Sequence, residues 1–232
     1  MVRKLYELVG SDATRPFSPY CWRTRLALAH KGLDVQTIPW RFTEKAAIAP
    51  HGSDKVPVLL DGDKTVVDSW VIATYLEDTY PDRPSLFGGD GGRAMARMIN
   101  GWGDVVIVGG LFPLIVFDIY QNHLPAADQA YFRTTREARL GRTLEETAAT
   151  RDKGIEVFRK SLDPLRLMLR AQPFIGGAAP NYADYIVFGG FQWARATSPF
   201  KLLKEEDAVY AWRERLLDAF GGLARQSPGY EV

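Results

Sequence analysis

The chain has 232 residues, of which 46% are hydrophobic and 25% charged, a balance that allows a buried core and excludes a disordered chain, a collagen or a coiled coil. Its length fits one large domain or two small ones. With 29 Lys and Arg against 28 Asp and Glu, the net charge is +1. No overall field therefore attracts nucleic acid or an anionic membrane, and we expect neither as a partner.

Cys21 is the sole cysteine, which excludes a disulfide within the chain and a multi-cysteine zinc site. The first seven residues lack the apolar core of a signal peptide. The longest apolar stretch, 105–117, is shorter than the ~20 residues that cross a bilayer, so we predict a buried helix there. We expect a cytoplasmic protein without a bound metal.

Short strand patterns alternate with helical patterns in the first part of the chain. They predict strands over 5–9, 35–40, 56–60 and 65–67, and the turn Asp61-Gly62 predicts that the last two form an antiparallel hairpin. Ser18-Pro19 and Asp68-Ser69 are typical helix starts. This order predicts an α/β domain with a mixed sheet.

The second part of the chain has only helical patterns. Prolines and glycines over 83–92 predict a linker between domains at 1–82 and 93–232. Asn181 and Asp184 have the spacing of a helix N-terminal capping box. Helical stretches are predicted at 93–122, 127–149, 153–171, 181–196 and 205–224.

Ser18 is the first candidate for chemistry, because it precedes a helix that directly follows a strand and a loop. The free N–H groups and the dipole at such a helix end stabilise an anion, including a thiolate. A serine hydroxyl there can cap the helix and still donate a hydrogen bond to a bound sulfur. Capping alone explains a serine at this position equally well.

Two further motifs accompany it. Val56-Pro57 lies in an apolar strand, where proline marks an edge or a distorted position. A cis bond there turns main-chain groups outward toward an extended peptide, whereas an ordinary strand-start proline needs no such role. Asp68-Ser69 supplies a carboxylate and a hydroxyl that suit an amino-acid head group, or serve only as a helix cap.

In combination and in this order, Ser18, Val56-Pro57, Asp68-Ser69 and the capping box at 181–184 resemble the glutathione transferase superfamily. The resemblance covers nearly the whole chain. It implies a thioredoxin-like N-terminal domain with a mixed four-stranded sheet, followed by an all-α C-terminal domain. It also implies a homodimer, with glutathione as cosubstrate.

The resemblance further implies roles for individual residues. Ser18 would stabilise the glutathione thiolate, and the main chain of Val56, before Pro57, would pair with the cysteinyl part. Asp68 and Ser69 would hold the γ-glutamyl head, and Lys55 the glycyl carboxylate. The expected reaction is attack of the thiolate on a small apolar or aromatic electrophile.

Several segments are most similar to the bacterial β-aryl etherases and the fungal serine-type transferases of this superfamily, which makes β-ether cleavage one candidate reaction. These segments are 17–28, 30–32, 67–73, 80–84 and 180–185.

Two other functions remain open. In some relatives a cysteine at the first position of Cys-Pro-Tyr-Cys is the nucleophile; here serine holds that position and Cys21 stands three residues later. A glutathione-dependent thiol oxidoreductase using Cys21 is therefore the main alternative. A non-catalytic protein that binds glutathione or apolar ligands is the other.

The electrophile pocket is expected between the two domains, where clefts are common. Phe17, Tyr20, Trp102 and Phe112 are candidate lining residues, although each also fits a core position. Arginines recur every three residues from Arg133 to Arg142, a spacing that drifts around a helix, so we interpret them as a solvated, salt-bridged surface.

Overall fold

The computed structural model describes residues 2–232 and consists of a sheet domain followed by a helical domain. The fold class predicted from the sequence is confirmed. In the sheet domain the strands are β1 (Arg3–Leu8), β2 (Val35–Trp40), β3 (Val58–Asp61) and β4 (Lys64–Val67), and the helices are α1 (Pro19–His30), α2 (Lys45–Ile48) and α3 (Ser69–Thr79).

The sheet is mixed, with the strand order β2-β1-β3-β4. β1 and β2 are parallel because α1 crosses between them, and β3 and β4 form the predicted antiparallel hairpin. Gly62 makes the hairpin turn with a positive φ of 64°, a conformation that glycine adopts without steric cost. The strand β3 begins at Val58, two residues later than predicted, directly after Pro57.

A segment without helix or strand, residues 80–89, connects the two domains, and the next helix begins at Asp90, inside the segment predicted as a linker. Leu86 and Phe87 are buried, and the Phe87 ring lies 5.4 Å from the ring of Tyr182. The Leu86 carbonyl also accepts a hydrogen bond of 2.9 Å from the Tyr182 N–H. These contacts hold the connection against the core.

The helical domain begins with one continuous helical run from Asp90 to Asn122 that changes geometry in its middle. Its central turn, Gly103–Val108, is π-helical. By length and composition the run is apolar enough to cross a membrane, but 56% of its apolar 18-residue window is buried inside the fold, as in a core helix. The helices are α4 (Asp90–Trp102), α5 (Gly109–Asn122), α6 (Ala126–Leu140), α7 (Leu144–Ala149), α8 (Arg151–Ser161), α9 (Asp163–Leu169), α10 (Tyr182–Thr197), α11 (Ala208–Leu217) and α12 (Ala219–Gly222).

Helix α10 crosses the centre of the molecule and packs on α1. Gly189 allows this close approach, since a Cβ built there would lie 2.5 Å from the carbonyl oxygen of Pro19. The capping box that starts α10 is present as predicted: the Asn181 side chain accepts a hydrogen bond of 2.9 Å from the Ala183 N–H, and the Asp184 carboxylate accepts one of 3.1 Å from the Asn181 N–H. Through Gly189, the helical domain packs directly on the first turn of α1.

Candidate active site between the sheet and the helical domain

A cavity of about 350 Å³ lies where the first turn of α1 faces the helical domain. One side comes from the sheet domain and the other from helices α5, α6 and α10, so both domains are needed to form it. The lining residues are Leu8, Phe17, Ser18, Pro19, Tyr20, Trp40, Phe42, Lys45, Asp54, Lys55, Val56, Val108, Phe112, Ile119, Tyr131, Phe132, Arg136, Arg139 and Trp193.

Ser18 lies at the floor of this cavity as the N-cap of α1. The chain returns to the sheet just before it, where the Phe17 N–H donates to the Leu8 carbonyl at 3.1 Å. The Ser18 hydroxyl accepts a hydrogen bond of 3.3 Å from the Cys21 N–H and is only slightly exposed. Because that oxygen acts as an acceptor, its own hydrogen is available for a ligand in the cavity.

Val56 lines the same cavity as Ser18, and the sheet register explains why. Tyr6 of β1 is opposite Val58 of β3, so the residues before β3 run beside the end of β1, from which α1 starts. The Val56–Pro57 peptide bond is cis. Within residues 2–232, neither main-chain polar group of Val56 forms a hydrogen bond with another main-chain group.

Asp68 and Ser69 lie on the same edge of the sheet, since Val58 pairs with Val67 and Pro57 therefore faces the end of β4. The Asp68 carboxylate caps α3 by accepting hydrogen bonds from Trp70 N–H at 2.9 Å and Val71 N–H at 3.1 Å. The backbone of Asp68 has a φ of 80°, which is unusual for a residue other than glycine, and such conformations concentrate at functional sites. Neither Asp68 nor Ser69 lines the 350 Å³ cavity itself. They lie farther along the same edge of the sheet.

Two lysines lie at the cavity mouth. Lys55 was a candidate from the sequence and is exposed there. Lys45, which the sequence analysis did not single out, bonds to the Asp54 carbonyl and lies 5.3 Å from the Trp40 ring. It is the first residue of the short helix α2, which follows β2 and is not among the elements predicted from the sequence.

Phe17, Tyr20 and Phe112 line the cavity, but Trp102 does not. Trp102 is half-buried at the end of α4. The π-helical turn 103–108 explains the wrong prediction, because an extra residue in a turn rotates the preceding part of a helix by about 100° relative to regular spacing. Trp102, before the π-helical turn, therefore lies on a different side of the helical run from Phe112, after it.

The prediction that the arginines of α6 form a solvated, salt-bridged surface is only partly right. Arg133 is salt-bridged at the surface as expected, with Glu137 and Glu145 both at 2.7 Å. Arg136 and Arg139, by contrast, line the cavity. The three-residue spacing drifts around the helix, so successive members of the series meet different surroundings. The aromatic pair at 131–132, one turn earlier, was the available sign that this side of α6 faces inward.

Cys21 lies one turn into α1 and has no exposed surface. Burial raises the pKa of its thiol to about 12, although the polar groups of Ser18 and of the Leu8 main chain act in the opposite direction. A thiol in such surroundings stays protonated at neutral pH and behaves as a small apolar group. This disfavours the alternative in which Cys21 is the nucleophile.

Among residues 2–232, no three His, Cys, Asp or Glu side chains lie close enough together to bind a metal ion.

Two family profiles match the chain, the N-terminal domain of glutathione S-transferases over residues 17–79 and their C-terminal domain over residues 94–220. Glutathione S-transferase U28 of Arabidopsis thaliana is 24% identical over 210 residues, which cover 87% of this chain and 81% of the relative. Another relative from the same plant, glutathione S-transferase Z1, is 41% identical over 71 residues, which cover 28% of this chain and 31% of the relative.

Solved structures resemble the whole molecule. Glutathione transferase GSTFuA3 of Phanerochaete chrysosporium superimposes with a TM-score of 0.78 at 24% identity, covering 100% of this chain and 99% of that one. A glutathione S-transferase of Ceriporiopsis subvermispora, solved in complex with glutathione, gives a TM-score of 0.77 at 25% identity, covering 98% and 95%.

Proposed function

The chain belongs to the glutathione S-transferase family, and on that basis we propose that it is a glutathione transferase that joins the sulfur of glutathione to an electrophilic carbon of an aromatic or apolar substrate. The observation that carries this proposal is the hydroxyl of Ser18, which caps α1 at the floor of a cavity formed by both domains. The enzyme is accordingly of the serine type.

Ser18 acts on the thiol of glutathione. Its hydroxyl donates a hydrogen bond to the sulfur, and the N-terminus of α1 adds the favourable field of a helix dipole. Both stabilise the anion, so the pKa of the bound thiol falls below the ~8.5 of a free cysteine. More thiolate is then present at neutral pH.

The edge of the sheet binds the rest of the tripeptide. The main-chain N–H and C=O of Val56, beside Pro57, pair with the cysteinyl residue in the manner of a short β-ladder. Asp68 and Ser69 receive the γ-glutamyl ammonium and carboxylate, and Lys55 receives the glycyl carboxylate. Lys45, on the same side of the cavity, is a second cation for that end.

The electrophile occupies the aromatic part of the cavity, against Phe17, Tyr20, Phe112 and Trp193. There the new C–S bond forms while the leaving group departs with its electron pair, and placement next to the thiolate supplies much of the rate. Displacement of an aryloxide from a β-aryl ether is one reaction of this kind. Such ethers belong among the substrates to be assayed.

The test measures the ultraviolet absorbance of the bound thiolate against pH in the native protein and in Ser18→Ala. We expect the pKa of the bound thiol to rise in Ser18→Ala and kcat to fall by about 10²-fold, the usual effect of removing one donor from a developing anion. Ser18→Thr keeps a hydroxyl and an N-cap and should restore most of both. Glutathione that binds with an unshifted thiol in the native protein would overturn the proposal.

We further propose that the protein forms a homodimer through the outer face of α4 and the following turn. Met95, Met98 and Val105 are 64%, 62% and 76% exposed, which is unusual for such large apolar side chains on one helical run. In sedimentation experiments Met98→Glu with Val105→Glu should produce a monomer. Val157→Glu, at an equally exposed site on α8, is the control that should not.

The buried free thiol of Cys21 fits a reducing compartment, which supports a cytoplasmic location.

A further inference from the structure

The aromatic part of the cavity contains two guanidinium groups. Arg136 lies over the rings of Phe132 at 4.6 Å and Phe42 at 4.9 Å, and Arg139 lies over the ring of Phe112 at 4.7 Å. Stacking on aromatic faces fixes the planes of both groups while leaving their edges available for hydrogen bonds. Both arginines are one turn apart on α6.

Neither guanidinium has a carboxylate partner among residues 2–232. The hydrogen bond found for Arg136 goes from Nη1 to the neighbouring Thr135 hydroxyl at 2.8 Å. Arg133, on the same helix, is by contrast bound by Glu137 and Glu145. The one acidic side chain among the lining residues described is Asp54, in the loop that carries Lys55.

Two unpaired cations in a half-enclosed cavity repel each other. Burial lowers the pKa of Arg136, and the charge of Arg139 lowers it further, whereas Tyr131 acts in the opposite direction. An anion that accepts hydrogen bonds from the half-buried Arg136 and the exposed Arg139 removes this repulsion and gains charge-assisted bonds. Such a ligand is therefore favoured over a neutral one of the same shape.

The glutathione site proposed above does not include these arginines. In that proposed site the glycyl carboxylate is assigned to lysines of the sheet domain, whereas Arg136 and Arg139 come from α6 of the helical domain, and Arg139 lies over the ring of Phe112 at 4.7 Å. Arg139 is also near α1: burial raises the pKa of Tyr20, and the Arg139 charge opposes that rise. The pair thus faces the place where the electrophile meets the thiolate.

We propose that Arg136 and Arg139 select aromatic electrophiles that carry a carboxylate on the ring. This substrate preference rests on the proposed function. The ring packs between the aromatic side chains, the carboxylate bonds to the two guanidiniums, and the carbon that bears the leaving group turns toward Ser18.

Two probes of nearly equal shape test the preference, 4-chloro-3,5-dinitrobenzoate and its uncharged amide. With either, the glutathione sulfur bonds to the carbon that carries chlorine, chloride leaves with the electron pair of the C–Cl bond, and the thiol proton passes to the solvent. We expect kcat/KM for the acid to exceed that for the amide by at least about tenfold, and this ratio to fall by about tenfold in Arg136→Gln or Arg139→Gln.

Arg142→Gln is the matched control, because it removes the same charge from a position next to the end of α6 that does not line the cavity. Its ratio should equal that of the native protein. Arg136→Lys keeps the charge but loses the planar fork, so it should restore part of the preference. Circular dichroism of each variant establishes that it is folded.

Binding is measured separately by the quenching of tryptophan fluorescence, since Trp40 and Trp193 line the cavity. Tighter binding of the acid than of the amide, lost in Arg139→Gln, supports the inference even if neither probe is turned over, an outcome that would count against the proposed function alone. Turnover of both probes with a ratio near one, or a ratio unchanged in both glutamine variants, would overturn the inference and leave the transferase activity standing.

Discussion

The guanidinium of Arg23 lies 2.8 Å from the carboxylate of Asp104 and joins α1 to the π-helical turn of the helical domain. The Arg23 side chain is almost fully buried, and it also bonds to the Ile186 carbonyl at 3.1 Å. Three elements around the active site, α1, α10 and the helical run 90–122, therefore meet at one cation.

We predict that Asp104→Asn destabilises the protein by about 2 kcal/mol, because it leaves a buried charge with weaker partners. Asp78→Asn is the comparison, since Asp78 pairs with Arg93 at 2.7 Å across the same two domains but in solvent, where such a pair contributes less than about 1 kcal/mol. Urea unfolding gives both free energies. Equal losses in the two variants would contradict the buried role of Arg23.

Substitution by alanine should change the stability in opposite directions at two helical glycines, Gly189 and Gly101. Gly189→Ala places a methyl group against the Pro19 carbonyl, which must push α10 away from α1 and should cost about 1–3 kcal/mol. Gly101→Ala, in α4, meets no atom within 4 Å and should gain about 0.5–1 kcal/mol from helix propensity. Thermal unfolding of both variants decides. A stable Gly189→Ala would show that the two helices are not closely packed.

Cys21→Ala should keep glutathione transferase activity and lose roughly 1 kcal/mol of stability, as expected for removing a small buried group. In the native protein the thiol should react with iodoacetamide only slowly at neutral pH, because burial raises its pKa and covers its sulfur. Mass spectrometry with and without urea measures this. Loss of turnover on substitution, or fast labelling of the folded protein, would favour thiol chemistry at Cys21 instead.

The parts of the site that the sequence predicted are those set by local signals. Ser18, Asp68 and Asn181 each end a non-helical segment and cap the next helix, and a cap can be recognised within a few residues. The order of the strands then determines that Ser18 and Asp68 lie on one edge of the sheet.

The sequence did not predict features that depend on how helices are rotated against one another. Arg136 and Arg139 belong to a series that looks uniform in the sequence, and only packing on Phe42 and Phe112 separates them from Arg133. Trp102 was misplaced by the π-helical turn, which interrupts the 3.6-residue repeat without any proline to mark it. The periodicity of a sequence predicts that a helix is present more securely than it predicts which way each face of that helix points.

His30 gives the protein a pH-dependent stability. Its Nδ1 lies 2.6 Å from the Tyr185 hydroxyl at the end of α1, and burial lowers its pKa, with the charge of Lys31 acting in the same direction and Ser85 and Glu77 in the opposite one. The unfolded chain, with a histidine pKa of ~6.5, therefore binds a proton more readily than the folded protein. Stability is complete above about pH 6.5 and falls as the pH drops below it.

We predict that the free energy of unfolding in urea decreases from about pH 7.5 to about pH 5.5, and that His30→Gln reduces this decrease. The slope should not vanish, because burial also lowers the pKa of His123, which adds a change of the same sign. His30→Gln combined with His123→Gln should flatten it further. The prediction is contradicted if the free energy of unfolding of the native protein increases toward acid pH, or if its decrease is the same in both variants. Either result would mean that the His30 imidazole takes up its proton as easily in the folded protein as in the unfolded chain.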